Sequence, residues 1–444
     1  MRKFEFIENL DREEFNSLAL ERGSEVKAHF LGSYEWGEVM ARRHRKPHYA
    51  GVYEYTDGPA DGPDRAGKKL VATAMILERS LIAGYTYFYI PRGFTMDYSD
   101  RELLRFITES LKKMGKKHKA LYFKIDPDIK LHDIDIDGNE VPGVNNAALA
   151  GYLQHLGYKQ KPLNYAFENE QPRFTFRIPL DGSIEEIEGR YSRTTKTRIR
   201  QSHEAGVEVF KGGSKDIPEF VRLMAMTEKR QDFYSHEHDF YQYFYDIMAK
   251  DDMITLYFGK LDLTAIRAKL RSDRAAAEEE LEALKQKTGK KTAGKIKEAE
   301  KKLTAVDKQL DMLADKPEGE VIVSTYLITR YADKAWALYA ANDMDYGKFF
   351  ANYAVYQQQI RDSKEEGRRI FDVFGTVGKL NDDPALNGLY EFKKKWGGEF
   401  TEFIGEFDYI LNKPVFMAYS KLIPLYHEMK NRKVMKQVRA GGNE

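Results

Sequence analysis

The sequence predicts an α/β protein with a helical hairpin set into its second half. Three observations carry this. Short runs rich in Val, Ile, Tyr and Phe alternate with helix-period segments along both halves, the pattern of helices packed on mixed sheets. A chain of 444 residues with 42% hydrophobic content has length for two or three domains and apolar material for a large core. Residues 263–315 break the alternation and carry apolar side chains at steps of three and four.

Taken in order, residues 4–7 read as a strand. Asp11 and Glu14 have capping-box spacing for a helix to about Glu21, and Ser33 caps a second helix that carries Trp36 and Val39. Strands are expected at 49–55 and 69–77, joined by the Gly/Pro/Asp-rich hairpin loop 57–67, and at 85–90. A long helix opens at Ser99 and runs to about Lys117. A strand follows at 120–125, residues 145–157 are helical, and 174–178 starts a new strand.

The second half repeats the plan. Helices are expected at 183–200, 217–231, 239–249 and 347–363, and strands at 207–210, 253–258, 321–329, 335–340 and 369–375. Pro384 suits a first helical turn, where its missing N–H would be unpaired anyway, and opens a helix to Lys395. Gly397 and Gly398 end it, 399–411 reads as one strand, and 414–431 as a last amphipathic helix.

In the arm, Leu263, Ile266, Leu270, Ala277, Leu281 and Leu284 form one stripe, and Ile296, Ala299, Leu303, Val306, Leu310 and Leu313 the other. Gly289 and Gly294 bracket a basic turn. The spacing predicts two antiparallel helices about 35 Å long, at 1.5 Å per residue. Lys287, Lys290, Lys291 and Lys295 gather at the tip, where they can neutralise phosphates or simply solvate a hairpin end.

The composition excludes several chemistries. There is no Cys, so disulfides and thiolate catalysis are absent, as suits a reducing cytosol. Net charge is +1, so a polyanion must be met by a local patch. The opening residues lack an apolar core, so no signal peptide is expected, and no run approaches a membrane span. No Gly-rich phosphate loop, serine elbow or HExxH occurs. The calcium-like start at 133–138 has Val144 where a bidentate Glu belongs, so it reads as a surface turn. His236 and His238 stand two apart with no third ligand, so no metal is expected.

Three motifs carry a resemblance. GLYEFKKKWGGEFTEFIGEFD at 388–408 resembles the C-terminal signature of the FemABX family of peptidoglycan interpeptide-bridge aminoacyltransferases. The basic segment 191–209 and the stretch from Tyr339 to Val355 resemble two further family segments in the same order. The resemblance implies two GNAT-like subdomains with mixed twisted sheets, at 1–171 and 172–444, with the coiled-coil arm 263–315 inserted in the second. The C-terminal helix would be free to pack on the first. It implies transfer of an amino acid from aminoacyl-tRNA, as co-substrate without further cofactor, to the stem peptide of lipid II or UDP-MurNAc-pentapeptide. Such an enzyme is expected in the cytoplasm, touching the inner face of the membrane peripherally. The basic run Arg42, Arg43, Arg45 and Lys46 is a candidate for that contact.

Site residues follow from the same resemblance. Lys393 matches the signature lysine implicated at the tRNA acceptor end, with Phe392 packing beside it. Trp36, His236, Phe240 and Tyr339 match precursor contacts, and Arg198 is placed structurally or near phosphates. His236 and Phe240 stand where the family has Arg and Tyr, with His238 or Tyr241 as candidate stand-ins; Met40 stands where several members have Lys, with Arg42, Arg43 or Arg45 as candidates for that charge. By residue type alone, Lys393 fits a solvated lysine face above a packed Phe better than a catalytic role. A non-enzymatic tRNA-binding scaffold built on the arm is the alternative. An acyl-CoA enzyme would want a pyrophosphate turn that the sequence lacks.

Overall fold

The computed structural model describes residues 2–55, 67–166, 170–231, 236, 238–287, 292–380 and 384–421. Two mixed sheets form the body. The first runs Phe4–Ile7, Lys46–Tyr55, Lys68–Ser80, Thr86–Ile90, Ala120–Ile125, Phe407–Ile410, Lys159–Gln160, with Thr95–Met96 on the side of Lys68–Ser80. The second runs Glu208–Gly212, Ile254–Asp262, Glu320–Tyr331, Lys334–Asn342, Ile370–Asp372, Phe174–Pro179, Glu399–Phe403, Lys130–Ile134, Glu140–Asn145.

Each sheet has one parallel pair. Thr86–Ile90 lies parallel to Ala120–Ile125, and Lys334–Asn342 to Ile370–Asp372. A parallel pair needs a crossover, and helices Arg101–Lys117 and Ala351–Glu365 supply the two. This is the α/β architecture with two mixed sheets that was expected.

The sheets cross the 171/172 boundary twice. Residues 399–411 are not one strand but two, Glu399–Phe403 in the second sheet and Phe407–Ile410 in the first. The turn between them needs Gly405, whose φ is +90° and whose missing Cβ leaves room for the guanidinium of Arg173. In return, the early hairpin Lys130–Ile134/Glu140–Asn145 pairs onto Glu399–Phe403. That hairpin was hidden because its residues are half-buried or exposed and its few apolar side chains show no buried alternation. Its turn is the calcium-like stretch, where the Asp135 carboxylate accepts from the backbone N–H of Asp137 and Asn139. The next helix therefore starts at Ala147, not 145.

Two other helices depart from expectation. Residues 183–200 form two helices, Ile184–Gly189 and Arg193–Glu204, because Ser192 caps the second. The helix expected from 347 begins at Ala351, after a 3-10 turn Met344–Phe349 and a left-handed Phe350. The hairpin loop 57–67 lies almost wholly outside the described residues. The last helix is described from 413 to 421, and Phe416 meets Tyr122 of the first sheet edge-on, ring centroids 5.2 Å apart.

The arm is a pair of packed helices, Leu263–Lys285 and Thr292–Leu313. Cross-contacts step outward in antiparallel order, from Arg267 on the Leu313 carbonyl to Arg274 on Asp307 and Lys302 on Glu280. Leu263, Leu270, Ala277, Leu281, Ala299, Val306 and Leu313 are buried along the seam.

The largest apolar cluster joins the two halves. Phe15, Phe30 and Val39 meet Leu223, Phe244 and Trp336. The candidate site is built on this cluster and on the strand end that follows Asp372.

Candidate active site

Helix Pro384–Lys394 carries Lys393 back against the second sheet. Its ammonium donates to the carbonyl of Phe374 at 2.9 Å and of Gly375 at 2.6 Å. The side chain is half-buried, and desolvation pushes its pKa down to about 7, with Asp372 partly opposing. Phe392 contacts Tyr353, Tyr356 and Trp396 at ring-centroid distances of 5.5, 5.6 and 5.9 Å. It clamps the helix end that presents Lys393. Trp396 is fully buried and meets Tyr191 edge-on. Gly397, with φ +71°, comes so close to the backbone of Arg190 that a Cβ has no room, which explains the signature glycine.

The carbonyls are held by an unusual backbone. Phe374 has φ +60°, uncommon without glycine. Asp372 fixes it, since Oδ1 accepts from the Phe374 N–H at 2.9 Å and from Thr175 Oγ1 at 2.6 Å. Asp372 Oδ2 accepts from Arg177 Nε at 2.9 Å. Arg177 also pairs with Asp128, which accepts from Lys334 Nζ at 2.6 Å. Two contacting cations hold the Asp128 carboxyl well below the usual carboxylate range despite burial. On the far side, Asp128, Arg177 and Lys334 line a cleft of about 570 Å³ rimmed by Lys27, Arg101 and Asn146.

A second constellation is aromatic. The His236 ring lies 4.0 Å from Phe240 and 6.0 Å from Tyr339, and Tyr241 meets Tyr339 at 5.3 Å. Phe240 stacks on Phe244, and Trp36 meets Phe244 edge-on. Arg43 completes the box, its Nη1 3.3 Å from His236 Nδ1 and its guanidinium 5.3 Å over the Phe240 ring. Burial first, then Arg43, push the His236 pKa down to about 4, so the imidazole is neutral at pH 7. The local charge therefore belongs to Arg43, one of three arginines left open by the sequence. Phe374, Trp36 and Tyr339 all pack against the large apolar cluster that includes Phe240.

The structure brings Trp36, His236, Phe240 and Tyr339 to one cluster; Lys393 reaches the edge of that cluster only through the Phe374 carbonyl, and Phe392 packs in the neighbouring cluster around Trp396. Arg198 stands elsewhere. Its guanidinium lies 3.9 Å over Phe350, which leads through Tyr353 to Phe392, beside a cavity of about 220 Å³ lined by Asn342, Met344 and Tyr353. Lys287 and Lys295 are exposed near the arm tip, and Lys290 and Lys291 lie outside the described residues. Sequence reasoning missed Asp372 and Phe374. Nothing local marks them, because their roles come from a left-handed backbone and contacts across the fold.

A FemAB family model matches residues 10–423. The chain belongs to the FemAB family. Among its relatives, the Staphylococcus haemolyticus lipid II:glycine glycyltransferase is 30% identical over 348 residues, covering 77% of this chain and 80% of that protein. The Staphylococcus aureus (strain bovine RF122 / ET3-1) lipid II:glycine glycyltransferase is 29% identical over 352 residues, with the same coverage. The crystal structure of FemX superposes with a TM-score of 0.73 at 24% identity, over 93% of this chain and 99% of that one, and shares its fold. Like the sequence, the described residues of this FemAB chain contain no helix long and apolar enough to cross a membrane.

Proposed function

We propose that this FemAB chain is an aminoacyl-tRNA-dependent transferase that adds an amino acid to the stem peptide of a lipid-linked peptidoglycan precursor. The observation that carries the reading is a half-buried lysine gripped by the Phe374 and Gly375 carbonyls, with Phe374 packed on the same apolar cluster that holds the aromatic box and Arg43. The names of the relatives supply the substrate class. In the reaction, the stem-peptide amine attacks the ester carbonyl of the charged tRNA. The oxyanion that develops faces the Lys393 ammonium, the ester C–O bond breaks, and the ribose hydroxyl takes up the proton that the amine gives up. The ester is already activated, so no covalent enzyme intermediate is needed. Arg43 and the rings of the box would hold the anionic, sugar-bearing acceptor, and the arm would reach along the tRNA. Purified protein is incubated with lipid II and a panel of charged tRNAs. Amide-linked amino acid on the stem peptide supports the reading, and none from any charged tRNA overturns it.

Two outcomes separate the substrate sites. Arg43→Ala is expected to raise the KM for the acceptor about 10-fold with kcat nearly kept, the scale of one lost charge-assisted contact. Steady-state kinetics at varied acceptor checks this. Replacing Lys287, Lys290, Lys291 and Lys295 with Ala is expected to flatten the logarithmic salt dependence of tRNA binding by up to about three units, at about 0.7–0.9 per phosphate contact. Turnover at saturating tRNA is expected to hold, because the tip stands about 35 Å from the arm's base. An unchanged salt slope would assign the arm to a protein partner.

A further inference from the structure

Outside the aromatic box, three side chains converge at one end of the first sheet. His48 lies near the start of the strand Lys46–Tyr55, Glu78 near the end of Lys68–Ser80, and His118 follows the helix Arg101–Lys117. In the antiparallel register Lys46 faces Glu78 and His48 faces Ile76, so His48 and Glu78 are diagonal neighbours on one face. His48 Nε2 lies 2.7 Å and His118 Nδ1 2.9 Å from the same oxygen, Glu78 Oε2. The three ligand atoms all fall within 4.8 Å of one another. His48 is buried, His118 and Glu78 are largely so, and Phe88 packs against both imidazoles.

We infer that His48, Glu78 and His118 form a site for a divalent transition-metal ion of the zinc type. Two histidines and one carboxylate are a donor set that zinc takes, with the fourth position left to water. A tetrahedral ion with bonds of about 2.0–2.1 Å sets its ligand atoms about 3.3 Å apart. The present separations of 2.7 and 2.9 Å need to open by only a few tenths of an ångström, which side-chain torsions provide. The C-terminal end of helix Arg101–Lys117 favours positive charge beside His118. One cation opposes the ion. Lys46 Nζ lies 3.5 Å from Glu78 Oε2, but its side chain is 64% exposed and can swing into solvent. The ion would thereby release Lys46 from Glu78 and loosen the basic run that carries Arg43.

The test uses the full chain, stripped of metal, with Zn(II) followed by calorimetry and Co(II) by visible absorption. One equivalent is expected to bind, with the absorption of a tetrahedral Co(II) centre and a raised melting temperature. Glu78→Gln, close to isosteric, is expected to weaken binding at least 10-fold. His118→Ala is expected to abolish it, and His238→Ala, an exposed histidine elsewhere, to leave it unchanged. Should His118→Ala fail to fold, Glu78→Gln alone decides. No stoichiometric uptake by the wild type, or uptake equal in wild type and Glu78→Gln (an adventitious ion only), overturns the proposal.

Discussion

Lys393→Met is expected to cut the single-turnover transfer rate by about 100-fold, the usual loss when one oxyanion partner is removed. Affinity for tRNA is expected to stay close to wild type, since the contacts along the arm are untouched. Lys393→Arg is expected to rescue poorly. A point charge fits between the Phe374 and Gly375 carbonyls, whereas a planar fork needs a different spacing of acceptors. A linked stability effect distinguishes this from misfolding. The folded-state pKa of Lys393 is lowered to about 7, so the unfolded chain binds its proton more tightly. Its charge therefore opposes folding fully below about pH 7, and the penalty fades as pH rises towards the unfolded value of about 10.4. The wild type is expected to gain stability relative to Lys393→Met between about pH 7 and about pH 9, measured by urea unfolding. A Lys393→Met enzyme with wild-type transfer rate would remove the lysine from the chemistry.

Asp128→Ala is expected to be the most damaging single change to stability, at about 3–5 kcal/mol, the scale for removing one member of a buried ion pair. It leaves Lys334, which is 2% exposed, without its carboxylate, and removes one of two anions that hold Arg177. Combining Asp128→Leu with Lys334→Met is expected to recover much of the loss, because an apolar pair needs no compensation. Because the folded-state pKa of Asp128 is depressed, its contribution is complete above about pH 4 and is lost as pH falls further. Urea midpoints for the single and double variants check this. Equal destabilisation of both would mean that the carboxylate acts through something other than these cations.

Much of the fold was legible because its signals are local. Pro384, the glycines after Trp396 and the stripes of the arm each follow from nearest neighbours. Lys393 was legible for the same reason, since its helix and its stop lie within a dozen residues. The break at Gly405 was not. A glycine inside an apolar run reads as a tolerated strand residue until Arg173, far away in sequence, is seen beside it. The strands at 130–145 were invisible because an exposed hairpin has no burial pattern to display. Arg43 could be narrowed to three arginines but not chosen, since only its neighbour His236, 193 residues on, decides which side chain enters the box. Asp372 reads as any acid at a strand end, and its grip on Phe374 appears only with the backbone angle.

The strand exchange between the sheets also has a timetable. Phe407–Ile410 lies between Ala120–Ile125 and Lys159–Gln160, and the ion pair beside it joins Lys124 to Glu406, 282 residues later. During synthesis at about 5–20 residues per second, the ribosome needs roughly 15–60 s to make that interval. Throughout that time the first sheet lacks its closing member, and two rows of backbone N–H and C=O stay open to any extended chain nearby. Nascent chains of this protein are therefore candidates for chaperone capture over most of their translation. A truncation before residue 407 would hold the molecule permanently at that vulnerable stage.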